Sequence, residues 1–256
     1  MMRIQRGDSW AEKLRQLLLA ASTDVPTWMK KHTTVLKQDT YSQVGLLDLD
    51  GRLCYLKYYA AKSSLQRLFL GLGYGRGVKS FDAARALSAA GISVPEPLAC
   101  LAISGGVLLL TEGVTASTDL KSYWTQHAGD NTVQEDLACK AGLLMADLHR
   151  AGFAHGDFKW SNLLLSRGAF YLVDLEAVGR AKVGDGKTAR DIARFTLNAE
   201  DMAMQAPAFE LFLVSYQRRS GLSRPDLLKG VGPILRQLRA RHVAKYGERG
   251  HCLLEC

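Results

Sequence analysis

The stretch His155-Gly156-Asp157-Phe158-Lys159-Trp160-Ser161-Asn162, followed twelve residues later by Asp174, collects the residue types that phosphoryl transfer requires. One carboxylate must accept the proton of an attacking hydroxyl. Hard oxygen ligands must hold Mg²⁺ against the phosphates, and a cation must offset their charge. Asp157 fits the base. Asn162, five residues on, can curl back as an amide-oxygen ligand, and Asp174 can approach as the charged ligand of the metal. Lys159, two residues after the base, can steady the transferring group. Singly these residues are ordinary, since loop aspartates cap turns and strand-end carboxylates accept backbone N–H groups. The ordered set, preceded by a helical pattern that ends at His149-Arg150, is specific.

Around this set the hydrophobic pattern changes along the chain. Ser9-Trp10-Ala11-Glu12 reads as a capping box opening a helix at about 9–21. From Thr33 to Tyr59 the pattern is that of strands. Asp50-Gly51 between two β-prone runs predicts a hairpin with Lys57 in its second strand. Glycines at 71, 73, 75 and 77 predict a loop, then a helix from Ser80 to about Ala90 stopped by Gly91. Pro95-Glu96-Pro97 reads as a rigid turn and Val107–Thr111 as a buried strand. Beyond Glu112-Gly113 the chain reads as helical, with a short helix at Asp119–His127 and a long one opened by Thr132-Val133-Gln134-Glu135. Two short strands about a Gly168 turn interrupt it, and helices at about 187–199, 207–219 and 233–246 complete it. The switch from strands to helices predicts two lobes, with a cleft between them as the default ligand site.

The 256 residues, 47% hydrophobic and 23% charged, describe an ordinary globular protein. No apolar run is long enough to span a bilayer and the N-terminus carries no signal-peptide pattern, so a cytoplasmic protein is expected. Five scattered cysteines without C-x-x-C spacing read as reduced thiols, not zinc ligands. The net charge of +8 is concentrated: between Gln217 and Arg249 nine basic residues face only Asp226 and Glu248, which accounts for +7. Such a stripe suits an anionic substrate or membrane surface. It also suits a solvated helix face. A nucleic-acid partner is not expected, because Tyr246 is the one aromatic in the final helix and no stacking platform is evident.

The loop, the Lys57 strand and the Asp174 hairpin resemble the protein-kinase-like superfamily. Four stretches are most similar to the bacterial lipopolysaccharide core kinases that act on heptose or Kdo: Tyr55–Tyr59, Ala90–Leu98, Asp147–Asp157 and Val173–Glu176. The resemblance implies an α+β bilobal fold, with a β-rich, ATP-binding N-terminal lobe at 1–111 and a larger helical C-terminal lobe at 112–256. It implies an ATP-dependent kinase of an inner-core sugar hydroxyl, with ATP and Mg²⁺ as cofactors. Asp157 and Lys159 would be catalytic, and Asn162 and Asp174 would bind the metal. Lys57 would contact the α- and β-phosphates, Ser42 the phosphates from the covering loop, and Thr111, Glu112 and Gly113 the adenine through backbone groups. Asp191 would hold the catalytic loop, unless it pairs with Arg194 on its own helix. The acceptor would be lipopolysaccharide core or another phosphorylated, anionic molecule, met at the cytoplasmic face of the inner membrane.

Three departures bear on this expectation. The segment Lys37–Gly45 has one glycine where the family's phosphate-covering loop is Gly-rich, with the hydroxyls of Thr40 and Ser42 as substitutes. The 80–90 helix offers no glutamate to pair with Lys57. Asp174 is followed by Leu175-Glu176 rather than Phe-Gly, so Glu176 is a candidate for a metal or substrate contact. A kinase of another small-molecule or protein acceptor, or a pseudokinase scaffold, are the alternatives.

Overall fold

In a computed structural model, residues 2–21, 23–63, 69–70, 73–247 and 251–254 are described. They form two compact units, one of Met1–Ala89, Val94–Thr115 and Asp174–Glu176, the other of Ala90–Ser93, Ala116–Val173 and Ala177–Cys256.

The first unit is built on an antiparallel sheet. Its strands are β1 (Arg3–Arg6), β2 (Thr34–Gln38), β3 (Ser42–Leu49), β4 (Arg52–Ala60), β5 (Pro97–Ile103) and β6 (Gly106–Glu112), in the order β1-β5-β6-β4-β3-β2. Asp50 and Gly51 turn the β3–β4 hairpin with both residues at positive φ, which is why a D-G pair serves there. Period-two alternation sends Cys54, Leu56 and Tyr58 of β4 to one face of the sheet and Tyr55, Lys57 and Tyr59 to the other. The first face packs on α1 (Ser9–Ala20) and α2 (Val25–His32) through Leu14, Trp28 and Met29. Tyr59 joins the second cluster, with Val78 and Phe81 of α3 (Arg76–Ala89) and Val107 and Leu109 of β6.

The second unit is largely helical. Helix α4 (Leu120–Gln126) and the long α5 (Asn131–Arg150) precede β8 (Phe153–Ala154), and β9 (Leu163–Ser166) and β10 (Ala169–Leu172) form a hairpin joined by β7 (Thr118–Asp119). Strand β11 (Gly179–Arg180) pairs with β8. Helices α6 (Gly186–Asp201), α7 (Ala206–Ser220) and α8 (Arg224–Tyr246) follow. A run of aromatic contacts, Trp124–Trp160–Phe195–Phe212, packs the 155–162 stretch onto α6 and α7.

Several local expectations change for physical reasons. Neither capping box forms. Helix α1 follows Asp8 without a side-chain cap while Glu12 pairs with Arg15, and α5 is capped by Asp130, whose carboxylate accepts the Val133 N–H. Helix α3 begins a turn before Ser80, which is buried inside it. Gly71 of the expected loop lies outside the described residues. Pro97 opens strand β5 instead of ending a turn, a position where a missing N–H is tolerated. Helix α8 starts at Arg224 behind a Ser223 cap and carries Pro233 in its interior. Cys54 and Cys100 are buried, while Cys252 is exposed. No helix of the described residues is long and apolar enough to cross a membrane.

Candidate active site

The Asp157 loop is shaped by α6. Asp191, fully buried, accepts the backbone N–H groups of His155 (2.6 Å) and Gly156 (2.9 Å), and His149 Nε2 lies 3.4 Å from it. His149 is held in turn by the Tyr216 hydroxyl at 2.9 Å. Asn198, two turns along α6 from Asp191, accepts the Trp160 N–H at 2.9 Å. Helical spacing puts 191, 194 and 198 on one side of α6, and Arg194 points its Nε to within 3.6 Å of Asp157 Oδ1. Asp191 thus holds the loop instead of pairing with Arg194. Gly156 sits at φ +80°, and a Cβ there would lie 2.7 Å from the Ala177 carbonyl oxygen. Only glycine meets both conditions.

Within the loop, the Asp157 carbonyl accepts the Lys159 N–H (2.8 Å) and the Asn162 side-chain amide (2.9 Å). That second bond commits the Asn162 nitrogen, so its amide oxygen is the atom left to meet a cation. The Val173 N–H donates to the Asn162 carbonyl (3.0 Å), and His155 Nε2 lies 3.0 Å from the Val173 carbonyl. Lys159 Nζ is 2.9 Å from Asp157 Oδ2. With Arg194, each carboxylate oxygen of Asp157 therefore faces a cation. Sequence reasoning missed Arg194 in this role. Its i+3 spacing from the buried Asp191 was the available signal.

In the first unit Lys57, on the central strand β4, donates to Asp174 Oδ1 at 2.7 Å. Burial works against the ammonium, yet the charges of Tyr59 and Asp174 outweigh it and hold its pKa above the ordinary lysine value. Near neutrality a phenol is uncharged, so Asp174 carries that effect. Burial also raises the Tyr59 phenol, and pushes Tyr55 up to about 12. Asp174 has φ +61°, a left-handed conformation that costs a non-glycine residue energy and clusters at functional sites. Arg76 and Glu176 form a second ion pair at 3.7 Å.

Ser42 opens β3, and its hydroxyl donates to Asp39 at 2.7 Å in a turn that also takes the Tyr41 N–H. Thr111 and Glu112 end β6. The Glu112 N–H donates to the Glu96 carbonyl and the Gly113 N–H to Leu53, so the sheet uses both. The structure thus gathers Asp157, Lys159 and Asn162 in one loop of the second unit. In the first unit it brings Lys57 and Asp174 together, while Ser42 and residues 111–113 stand at other points of the sheet.

The sequence model described as the lipopolysaccharide kinase (Kdo/WaaP) family matches residues 28–216. The chain is similar to the 3-deoxy-D-manno-octulosonic acid kinase of Vibrio vulnificus (strain YJ016), 27% identical over 124 residues, which is 46% of this chain and 50% of that one. The same kinase of Vibrio parahaemolyticus serotype O3:K6 (strain RIMD 2210633) is 28% identical over 125 residues, 47% of this chain and 51% of that one. The chain thus spans about half the length of the curated relatives it matches. Among solved structures it is similar to WaaP in complex with acyl carrier protein, with TM-score 0.63 and 16% identity, covering 96% of this chain and 99% of that one. An aminoglycoside-3'-phosphotransferase of type VIII matches with TM-score 0.58 and 17% identity over 88% of this chain and 97% of that one. Both carry the protein-kinase-like fold expected from the sequence.

Proposed function

Because the chain belongs to the lipopolysaccharide kinase (Kdo/WaaP) family, we propose that it transfers the terminal phosphoryl group of ATP to a heptose or Kdo hydroxyl of the lipopolysaccharide inner core. The observation that carries this reading is the His155–Asn162 loop, whose His155 and Gly156 N–H groups donate to Asp191. Its base and amide ligand are fixed by backbone geometry before any substrate arrives, as preorganised catalysis requires.

In this reading Asp157 accepts the proton of the sugar hydroxyl, and Lys159 leaves its carboxylate to steady the transferring group. Arg194 stays beside Asp157 and meets negative charge on the acceptor. Lys57 exchanges Asp174 for the α- and β-phosphates. Ser42, from the covering loop, faces the phosphates. Adenine is met at Thr111, Glu112 and Gly113 through carbonyl oxygens, since the last two N–H groups are spoken for. The first unit is then the nucleotide-binding lobe and the second the catalytic one.

Mg²⁺ fits the donors available. The Asn162 amide oxygen and the Asp174 carboxylate are hard oxygen ligands, and Mg²⁺ bound to nucleotide needs only one or two from protein. Among the described residues no group of three or more His, Cys, Asp or Glu could hold a metal. When bound, the cation neutralises charge developing on the phosphates.

We place the reaction at the cytoplasmic face of the inner membrane, with the protein in peripheral contact. The basic C-terminal segment supports this only in part. Arg219, Arg224 and Arg239 are consumed by Asp147, Glu210 and Glu200. Among the described residues Arg218, Lys229, Arg236, Arg241 and Lys245, the last lying over the Tyr246 ring, remain for an anionic surface.

The test is Mg²⁺-dependent ATP turnover with and without unphosphorylated inner core, beside Asp157→Ala. Core-stimulated turnover lost in the variant supports the proposal. Turnover that ignores the core, or that survives the substitution, refutes it.

A further inference from the structure

Protein-kinase-like enzymes tie the strand lysine to a glutamate on the neighbouring helix, and α3 has none. Resting on the phosphotransferase reading above, we propose that Arg76 and Glu176 form this tie with the charges exchanged. The helix supplies the cation, the segment after Asp174 supplies the anion, and the pair positions Lys57 and Asp174 for nucleotide.

Tyr59 is the centre of the arrangement. It lies two residues from Lys57 on the same face of β4 and is buried. Lys57 Nζ stands 4.7 Å from its ring centroid and the Arg76 guanidinium carbon 4.9 Å from it. Each cation pairs with one end of the tripeptide 174–176: Lys57 with Asp174 at 2.7 Å, Arg76 with Glu176 at 3.7 Å. The two pairs therefore share one aromatic wall and one short segment of chain.

Their tightness differs. The Lys57–Asp174 contact is a full charge-assisted hydrogen bond. The Arg76–Glu176 contact is too long for one, and Arg76 Nη2 and Glu176 Oε2 are buried with no hydrogen-bond partner among the described residues. A guanidinium and a carboxylate so disposed can close into a two-bond fork. Phosphates compete for Lys57, and a cation for Asp174, so nucleotide must open the tight pair. The loose pair is then the charge link still joining α3 to residues 174–176, and its unused donor and acceptor let it tighten. Arg76 and Glu176 are positioning residues in this scheme. Neither needs to touch ATP.

The experiment is a double-mutant cycle on the full chain with Arg76→Gln, Glu176→Gln and both together, reading KM for ATP, kcat and melting temperature. Each single substitution is expected to raise KM for ATP by about tenfold with kcat changed less than about twofold, and the double to be no worse than either single. Arg76→Lys, which keeps the charge without the fork, should recover part of the loss. Multiplying effects in the double overturn the proposal. So does an effect of Glu176→Gln alone seen as a changed Mg²⁺ requirement, which would make Glu176 a metal ligand. So does a lower melting temperature with KM unmoved, which would make the pair merely structural. A wild-type protein that neither binds nor turns over ATP sinks the phosphotransferase reading and the pair's role with it. Turnover with independent substitutions sinks the pair's role alone.

Discussion

Asp157 and Lys57 sit in regions held by different kinds of bond. The Asp157 loop is fixed through its backbone, with the His155, Gly156 and Trp160 N–H groups all ending on α6 side chains and the receiving Asp191 fully buried. Lys57 and Arg76 are held through side-chain charges instead, in pairs that remain partly open: Asp174 is 32% exposed and Glu176 27%. Backbone hydrogen bonds to a buried acceptor leave little freedom, whereas an ion pair at a half-open site can exchange partners at small cost. A base must be in place before its substrate arrives. A phosphate-gripping lysine must let go of one anion to take another. The two regions suit the tasks proposed for Asp157 and Lys57.

The comparison is tested most severely at Asp157, the proposed base. Asp157→Asn keeps the loop's shape and removes the proton acceptor, so kcat should fall by about a thousandfold with the melting temperature unchanged. A comparable loss of melting temperature would show that the carboxylate is structural. Asp191→Ala should do the reverse. It strands two buried N–H groups and empties a buried site, so stability should drop by about 3 kcal/mol. Hydrogen exchange at His155 and Gly156 should quicken in that variant. If exchange there stays slow, the loop is held by something other than Asp191.

Lys57→Met probes the softer region. Without the ammonium the phosphates lose a cation, and kcat/KM for ATP should fall by about a hundredfold. The fold should lose little, because the lysine already spans a half-open pair. A large fall in melting temperature with ATP affinity retained would reverse the contrast drawn here.

The same contrast explains what could be read from the sequence. The Asp157 loop is a contiguous string with fixed spacing, and its anchor Asp191 was indicated by the family resemblance, with pairing to Arg194 as the alternative. Both were therefore legible. So was the β3–β4 hairpin, because Asp50-Gly51 acts locally. The Arg76–Glu176 tie was not, since it joins residues a hundred positions apart and depends on α3 starting a turn before Ser80. The early start reflects burial of Val78 against the sheet, a tertiary effect that no local cap announces. Strand β1 was missed because it is short and three of its four residues are polar, and it pairs with β5. The second capping box failed for a related reason: Asp130 lies two residues before Thr132 and takes the helix start first.

The smallest effect expected concerns the first unit's core at high pH. Burial raises the thiol of Cys54, and pushes Cys100 up to about 12. In the unfolded chain both would ionise near about pH 8.5. Above that value the unfolded state releases protons that the folded state keeps, so stability falls as pH rises toward the folded values. Between neutrality and about pH 9.5 the Cys100 thiol should cost on the order of 1 kcal/mol. Cys100→Val suits the strand and removes one titrating group, so the variant should lose less stability than wild type over that interval. Measuring melting temperature at the two pH values decides it. Equal losses would mean that alkaline sensitivity resides elsewhere. A smaller loss in the variant would make the sheet that carries Lys57 a pH-sensitive part of the molecule.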